Sequence, residues 1–249
     1  MIKKFDFTMI VLKNDQYDGS IIDTSTIPTD IEEFEKDLLL ILENLENKKL
    51  LWIKLMIEQS SLISILTRHG FIFHHCNEMD ITLVKKLIHK PVIPTATNHT
   101  LGVGAVVIDD NKLLVIKDKI YQGYKLPGGH IDDSENITNA LIREVYEETG
   151  INIKFDSIIS LRHISPGQFN ESNLYLVCRA TALSKEINII DTDEILEAKW
   201  IDVDTYLNLE DVHPFNKKIV RMALENKGFK IVDSENLIHR KDLNYEIFF

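Results

Sequence analysis

The first 90 residues alternate between stretches with helical and with strand-like spacing of apolar side chains. Between residues 29 and 47, apolar side chains recur every three or four positions, which predicts an amphipathic helix. Thr29 is expected to begin this helix through a capping-box pattern. Ser60 or Ser61 is expected to cap a second helix that stops near Gly70. The predicted elements are strands at 5–13, 50–56, 71–75 and 80–84, and helices at 29–47 and 60–70. This pattern indicates a small α/β unit.

Residues 90–98 show no periodicity and contain two of the six prolines, so they are interpreted as a linker. Beyond them, two apolar runs flank Asp109–Asn111 and predict a hairpin. The further predicted elements are strands at 101–108, 112–116, 151–163, 173–182 and 196–201, a helix that ends at Thr149, and a helix at 214–226. We therefore expect an N-terminal α/β domain over 1–90, a linker over 91–98 and a second domain over 99–249.

Composition narrows the functional classes. The chain is 44% hydrophobic and 27% charged, which excludes a wholly disordered protein, and its net charge is −11. That charge argues against broad binding to long nucleic acid or to an anionic membrane, and no apolar run is long enough to span one. A phosphorylated small substrate stays possible because a metal ion can supply local positive charge. The two cysteines, Cys76 and Cys178, indicate free thiols in a reducing cytosol, and hence a cytoplasmic protein.

The helix that ends at Thr149 carries an unusual set of acids. Glu144, Glu147 and Glu148 lie at positions i, i+3 and i+4, so they share one face. A solvated acidic face is the plain interpretation, but these charges lie at the helix C-terminus, where the macrodipole disfavours them. A Pro-Gly-Gly loop at 127–129 can bring backbone carbonyls to the same place. Clustered carboxylate and carbonyl oxygens favour a hard divalent cation such as Mg²⁺.

The spacing from the glycine pair at 128–129 to Ile151 reads G-x5-E-x7-R-E-U-x-E-E-x-G-U, where U is apolar. This motif resembles the Nudix box, and residues 100–226 also follow the order of elements in the Nudix hydrolase family. The resemblance implies an α/β/α sandwich with a mixed sheet. It also implies hydrolysis of a nucleoside diphosphate linked to another moiety.

The resemblance implies a Mg²⁺ site, with Mn²⁺ as a substitute. Glu147 and Glu148 would be the main ligands, together with the backbone carbonyl of Gly128. Glu144 would be a further ligand or the general base for the attacking water, and Glu135 would contact the metal shell from the preceding loop.

Two further catalytic candidates follow from the same resemblance. Arg143 would orient the glutamates by ion pairing. Family members often add an acid from a distant loop, for which Glu194 is the candidate and Asp193 and Glu197 are rivals.

Substrate candidates lie outside the motif. Tyr124, beside Lys125 and Pro127, could stack on a base, although a packed strand residue is an equal interpretation. Pro166 follows Ile151 by fifteen residues, a spacing often seen in subfamilies that hydrolyse ADP-ribose. Turn chemistry at 165–167 is the alternative for this proline.

Three segments, at 70–75, 102–106 and 166–175, resemble a two-domain Nudix subgroup. That subgroup includes the fibroblast growth factor antisense Nudix protein and plant ADP-ribose/NADH pyrophosphatases, and the resemblance covers about 1–226. It implies a partial acyltransferase-like first domain without its own chemistry, a homodimer, and cleavage of ADP-ribose or NADH to give AMP. Asn173 stands where relatives often have an acid, so no catalytic role is assigned to it. His74 and His75 are expected on opposite faces of a strand, in packing roles.

Other functions stay open at this point. The enzyme could act on nucleoside triphosphates, dinucleoside polyphosphates or capped RNA. Alternatively, the protein could be mainly an interaction module with secondary hydrolase activity.

Overall fold

The structure, a computed structural model, describes residues 8–121, 123–167, 171–232 and 245–249. The chain divides into two compact units, Met1–Thr97 and Asn98–Phe249. The division lies within the segment 91–98, whose role as a linker stays a prediction. None of the described helices has the length and hydrophobicity needed to cross a membrane.

Where the structure describes it, the first unit contains a five-stranded mixed sheet and two α-helices. Its elements are β1 (Leu12–Asn14), β2 (Ser20–Ile22), β3 (Leu50–Met56), β4 (Phe71–Cys76), β5 (Asp80–Lys86), α1 (Ile31–Asn44) and α2 (Ile63–Arg68). The strand order is β1-β2-β3-β5-β4, with β2 and β3 parallel. Apolar side chains of both helices form one core with Leu51, Ile53 and Leu55 of β3, and the stripe of α1 faces this core as its periodicity predicted.

Several details of the first unit differ from the prediction. Residues 5–7 of the expected strand 5–13 lie outside the described residues, and the strand observed there is only β1. The cap of α1 is Asp30 rather than Thr29, because the Asp30 carboxylate accepts the Glu33 N–H at 2.8 Å. Ser60 and Ser61 do not cap α2, since they lie inside a 3₁₀ segment, Ile57–Leu62, that precedes it.

His74 and His75 do not point to opposite faces. A register irregularity between Phe73 and His75 interrupts the alternation, and the Nδ1 atoms of the two rings lie 2.7 Å apart. His74 also contacts the Pro94 carbonyl at 2.7 Å and the ring of Trp52. The expected alternation was therefore wrong, because a bulge places both rings on one side.

In its described residues, the second unit contains a six-stranded mixed sheet and three helices. Its elements are β6 (His99–Asp109), β7 (Lys112–Asp118), β8 (Gly128–His130), β9 (Ile153–Ile164), β10 (Ser172–Ala182), β11 (Ile195–Asp202), β12 (Ile231–Val232), β13 (Ile247–Phe248), α3 (Ile137–Thr149), α4 (Val203–Asn208) and α5 (Pro214–Glu225). The sheet order is β11-β7-β6-β10-β9, with β8 paired to β6. The strands β6 and β10 are parallel, and the other described pairs of this sheet are antiparallel.

The two faces of this sheet bury separate cores. On β6, Val103, Ala105 and Val107 pack with the apolar face of α3, whereas Val106 packs with α4 and α5. This alternation along one strand puts helices on both faces. The structure thus confirms the α/β/α sandwich, and it adds α4, which is too short to show a helical period.

The C-terminal segment reaches the start of α3. Asn136 occupies the N-cap position, but its side chain accepts no capping hydrogen bond. Instead, the Glu246 carboxylate accepts the Thr138 backbone N–H at 3.2 Å and also contacts the Thr138 hydroxyl. A carboxylate at a helix N-terminus satisfies free N–H groups and complements the helix dipole.

Candidate active site

The acids of α3 are brought to the edge of the sheet by the packing of the helix. Ala140, Leu141 and Val145 are buried against the sheet, and Glu144 and Glu148 share that side of the helix. Both acids therefore meet the glycines of β8. Gly150 ends the helix in a left-handed conformation with φ 73°, which glycine adopts without steric cost.

Glu148 is the most buried of these acids, with 4% of its surface exposed. Its carboxylate accepts the backbone N–H of Gly128 at 2.6 Å. Gly128 has φ 143°, and a Cβ there would lie 2.2 Å from the Val103 carbonyl oxygen, so only glycine fits. Burial raises the pKa of Glu148 to about 8.

Glu144 folds against the same loop. A Cβ at Gly129 would lie 2.5 Å from a carboxylate oxygen of Glu144, so the glycine makes room for this acid. Burial raises the pKa of Glu144, and hydrogen bonding to Arg143 opposes that rise.

Arg143 joins four acceptors in one network. Its guanidinium donates to Glu135 at 2.8 and 2.9 Å, to Glu144 at 2.9 Å, to Glu147 at 3.1 Å and to the His130 carbonyl at 3.0 Å. These hydrogen bonds hold the pKa of Glu135 below its usual range. The arginine therefore fixes the positions of three carboxylates, which is the geometry that an orienting role requires.

Glu194 is the distant acid that the structure brings to the site. It lines the cleft beside the loop at 128–130. Burial is the main cause of the raised pKa values of Glu144 and Glu148, and the negative charge of Glu194 raises them further. Its rival Glu197 instead accepts the Tyr124 hydroxyl at 2.8 Å and pairs with Lys199. Asp193 is exposed and does not line the cleft among the described residues.

The substrate candidates separate into two groups. Lys125 lines the cleft, where it is paired with Asp118 at 2.6 Å. Tyr124, Pro127 and Pro166 are not among the described residues that line it. The Pro127 carbonyl accepts the backbone N–H of Ala105 at 2.9 Å.

Tyr124 makes contacts that favour its packed interpretation. Its hydroxyl contacts Glu197 and also Lys199, at 2.5 Å, and the Lys199 ammonium lies 4.0 Å from the centre of its ring. Base stacking by Tyr124 stays a prediction.

The cleft beside the acids has a volume of about 380 Å³. Three residues that sequence reasoning missed form one of its walls: Arg162, Tyr175 and Phe215. The signal that could have found them is the pair Gly102 and Gly104 inside an apolar strand, because glycines in a strand often mark the close approach of another group. Asn173, to which no catalytic role was assigned, also lines the cleft and donates to the Thr100 hydroxyl at 2.9 Å.

The donor set suits a hard divalent cation. Among the described residues, no three His, Cys, Asp or Glu side chains are arranged to hold a metal ion, and two of the α3 acids are paired with Arg143. However, Glu144, Glu147, Glu148 and Glu194 offer only carboxylate oxygens, which Mg²⁺ and Mn²⁺ prefer. Among the described residues no cation forms an ion pair with the buried Glu148 carboxylate, and a bound metal ion would supply the compensating charge.

Comparison with known proteins agrees with this geometry. Residues 98–223 match the family profile described as NUDIX domain, and residues 10–87 match the one described as Nudix hydrolase domain.

Three relatives illustrate the similarity. Nucleoside diphosphate-linked moiety X motif 6 of Xenopus laevis is 39% identical over 184 residues, 70% of this chain and 84% of that protein. The Homo sapiens protein of that name is 34% identical over 197 residues, 76% of this chain and 62% of that protein. Nudix hydrolase 2 of Arabidopsis thaliana is 35% identical over 211 residues, 81% of this chain and 75% of that protein. The match therefore spans less than two thirds of the human relative.

Proposed function

This chain belongs to the Nudix hydrolase family, and from that premise we propose that it hydrolyses the diphosphate bond of a nucleoside diphosphate linked to another moiety. We propose ADP-ribose or an NADH-type dinucleotide as substrate and AMP as a product. The observation that carries this proposal is the convergence of Glu144, Glu148 and Glu194 beside a cleft that can hold a small molecule.

The proposed cofactor is Mg²⁺, with Mn²⁺ as a substitute. Glu147, Glu148 and the Gly128 carbonyl would hold it, with Glu144 and Glu135 in supporting positions. When bound, the ion neutralises phosphate oxygens and lowers the pKa of water.

Residues of the chain would then accept a proton and hold the acids in position. A Glu144 carboxylate oxygen would take a proton from the attacking water, a role favoured by the burial that raises its pKa. Arg143 keeps Glu144 and Glu147 in place through its two hydrogen bonds to them. Water adds to one phosphorus while the bridging P–O bond breaks, so the products are AMP and the phosphorylated second moiety.

The substrate class rests on several supports. Pro166 has the spacing of ADP-ribose-type subfamilies, and both halves of the chain match Nudix families. The relatives' own names refer to nucleoside diphosphate-linked moieties. Selectivity would come from groups that contact the second moiety, because a substrate that lacks those groups leaves buried polar atoms unpaired.

One panel tests the proposal. We expect kcat/KM with Mg²⁺ to be higher for ADP-ribose or NADH than for ATP, a dinucleoside polyphosphate or capped RNA, and excess chelator to abolish hydrolysis. If ATP or the polyphosphate leads by about tenfold, or about 1.4 kcal/mol in transition-state binding, the substrate assignment is wrong. Hydrolysis that persists in chelator contradicts the metal requirement.

We also propose a cytoplasmic homodimer in which the N-terminal domain has no chemistry of its own. Light scattering on the full chain checks the dimer, since a monomeric mass at micromolar concentration would contradict it.

A further inference from the structure

Arg162 lies in the wall of the cleft, held by two aromatic rings. It is on β9, directly opposite Tyr175 of β10 in the strand register. Its guanidinium carbon lies 5.4 Å from the centre of the Tyr175 ring and 4.9 Å from the centre of the Phe215 ring. Cation–π contacts of this kind hold a guanidinium in place without using its N–H donors.

The donors of Arg162 have no acceptor in the part of the chain that the structure describes. Its Nε is buried there without a hydrogen-bond partner, in contrast to the five hydrogen bonds of Arg143. A buried donor without an acceptor costs free energy, so a site of this kind calls for a ligand.

Arg162 also gives the cleft a positive charge with which no acid among the described residues pairs. Among the described lining residues, Lys125 and Arg162 are the two with a permanent positive charge, and Lys125 is paired with Asp118. Because Glu194 and the α3 acids make this region negative, a phosphate ligand needs positive charge from the protein as well as from a metal.

Tyr175 connects this wall to the acids. Its ring lies across β6, where a Cβ at Gly102 or Gly104 would come within 2.6 or 2.5 Å of its atoms. Its hydroxyl is near enough to Glu148 and Glu144 for their charges to add to the effect of burial, which raises the Tyr175 pKa. Arg162 is thus fixed, through Tyr175, beside the acidic cluster.

We propose that Arg162 binds the diphosphate of the substrate, with its guanidinium N–H groups donating to non-bridging phosphate oxygens. This inference rests on the proposed function only for the identity of the ligand. The planar fork of arginine suits a phosphate, and its contacts with Tyr175 and Phe215 hold it ready for one.

Binding of two non-hydrolysable probes with Mg²⁺ tests the proposal on the full chain by calorimetry. The probes are α,β-methylene-ADP and methylenediphosphonate, which is the anion without the nucleoside. We expect Arg162→Met to weaken both by at least about tenfold. Arg221→Met, which changes an exposed arginine of α5 outside the cleft lining, should change neither.

Three results would overturn the proposal: unchanged affinity for both probes in Arg162→Met, weakening for the nucleotide probe alone, or no binding of methylenediphosphonate to the parent protein. The second result would mean that the guanidinium stacks on the base. If Arg162→Met does not fold, Arg162→Lys replaces it, and this variant should weaken both probes by about threefold or more because it keeps charge without the fork.

Hydrolysis assays on the same preparations separate this inference from the proposed function. A parent protein that binds both probes but cleaves no diphosphate substrate would sink the function and leave the role of Arg162 standing. Active Arg162→Met with unchanged KM and kcat would sink the role of Arg162 alone.

Discussion

Gly128 donates its backbone N–H to the Glu148 carboxylate at 2.6 Å and thereby joins the loop strand β8 to the last turn of α3. The carboxyl group is buried, and burial raises its pKa to about 8 in the folded protein. The burial of this carboxyl group therefore couples the stability of the protein to pH, and the hydrogen bond from Gly128 opposes part of the rise in its pKa.

The metal-free protein should lose stability as the pH rises from about 4.5 to about 8. In this range the folded state keeps a proton on Glu148 that the unfolded state has lost, so the free energy of unfolding falls with rising pH. Urea unfolding in chelator at pH 5 and pH 8 measures the effect. Glu148→Gln should remove most of the slope, whereas Glu147→Gln, at a position with 44% of its side chain exposed, should retain it.

Saturating Mg²⁺ provides the complementary measurement. It should stabilise the protein more at pH 8 than at pH 5, because the carboxylate must lose its proton to become a ligand. A slope that persists in Glu148→Gln would show that another group dominates.

Glu147→Gln and Glu148→Gln should each lower kcat by about a hundredfold or more, or about 2.7 kcal/mol. Each change removes a ligand charge while keeping the shape of the side chain, so both variants should fold. Steady-state kinetics with ADP-ribose and Mg²⁺ measure the loss, and circular dichroism checks the fold. A variant as active as the parent would remove that residue from the metal site.

Glu194 should contribute to the rate of hydrolysis, whereas its rivals Asp193 and Glu197 should not. Glu194→Gln is expected to lower kcat by about tenfold or more, because the charge lies beside Glu144 and Glu148. Glu197→Gln and Asp193→Asn are matched controls, since Glu197 is engaged by Tyr124 and Asp193 is exposed outside the described cleft lining. Equal losses in Glu194→Gln and Glu197→Gln would reject this assignment.

The sequence predicted what depends on local spacing. The helical period placed Glu144, Glu147 and Glu148 on one side of α3, and Gly150 marked the end of that helix. The apolar run at 101–108 predicted a strand, and the structure has β6 there.

What the sequence could not give depends on tertiary contacts. The place of Arg162 and Tyr175 in the cleft follows from the register of β10 against its two neighbours, and nothing in their own segments specifies that register. The burial of Glu148 depends on Gly128, which lies in another element. The bulge that brings His74 beside His75 likewise has no local signal.

Limited proteolysis should cut first within residues 91–98. This segment has no helix or strand and separates the two compact units, so its backbone can enter a protease site without unfolding a core. Mass spectrometry should find a fragment that begins near residue 96. First cuts inside α1 or α3 would contradict the domain boundary.

Gly104→Ala should destabilise the protein by about 1–3 kcal/mol, because a Cβ at this position would lie 2.5 Å from the Tyr175 hydroxyl oxygen and crowd its ring. The atom in closest conflict is the oxygen, so Tyr175→Phe should recover part of the loss in the Gly104→Ala background. At Gly102 the closest atom is the ring carbon Cδ2, at 2.6 Å, which phenylalanine also has. Tyr175→Phe should therefore give no rescue of Gly102→Ala. Urea unfolding of the two double-mutant cycles measures the coupling at each position. Equal rescue at both positions, or at neither, would mean that Tyr175 does not lie across β6 as the structure shows.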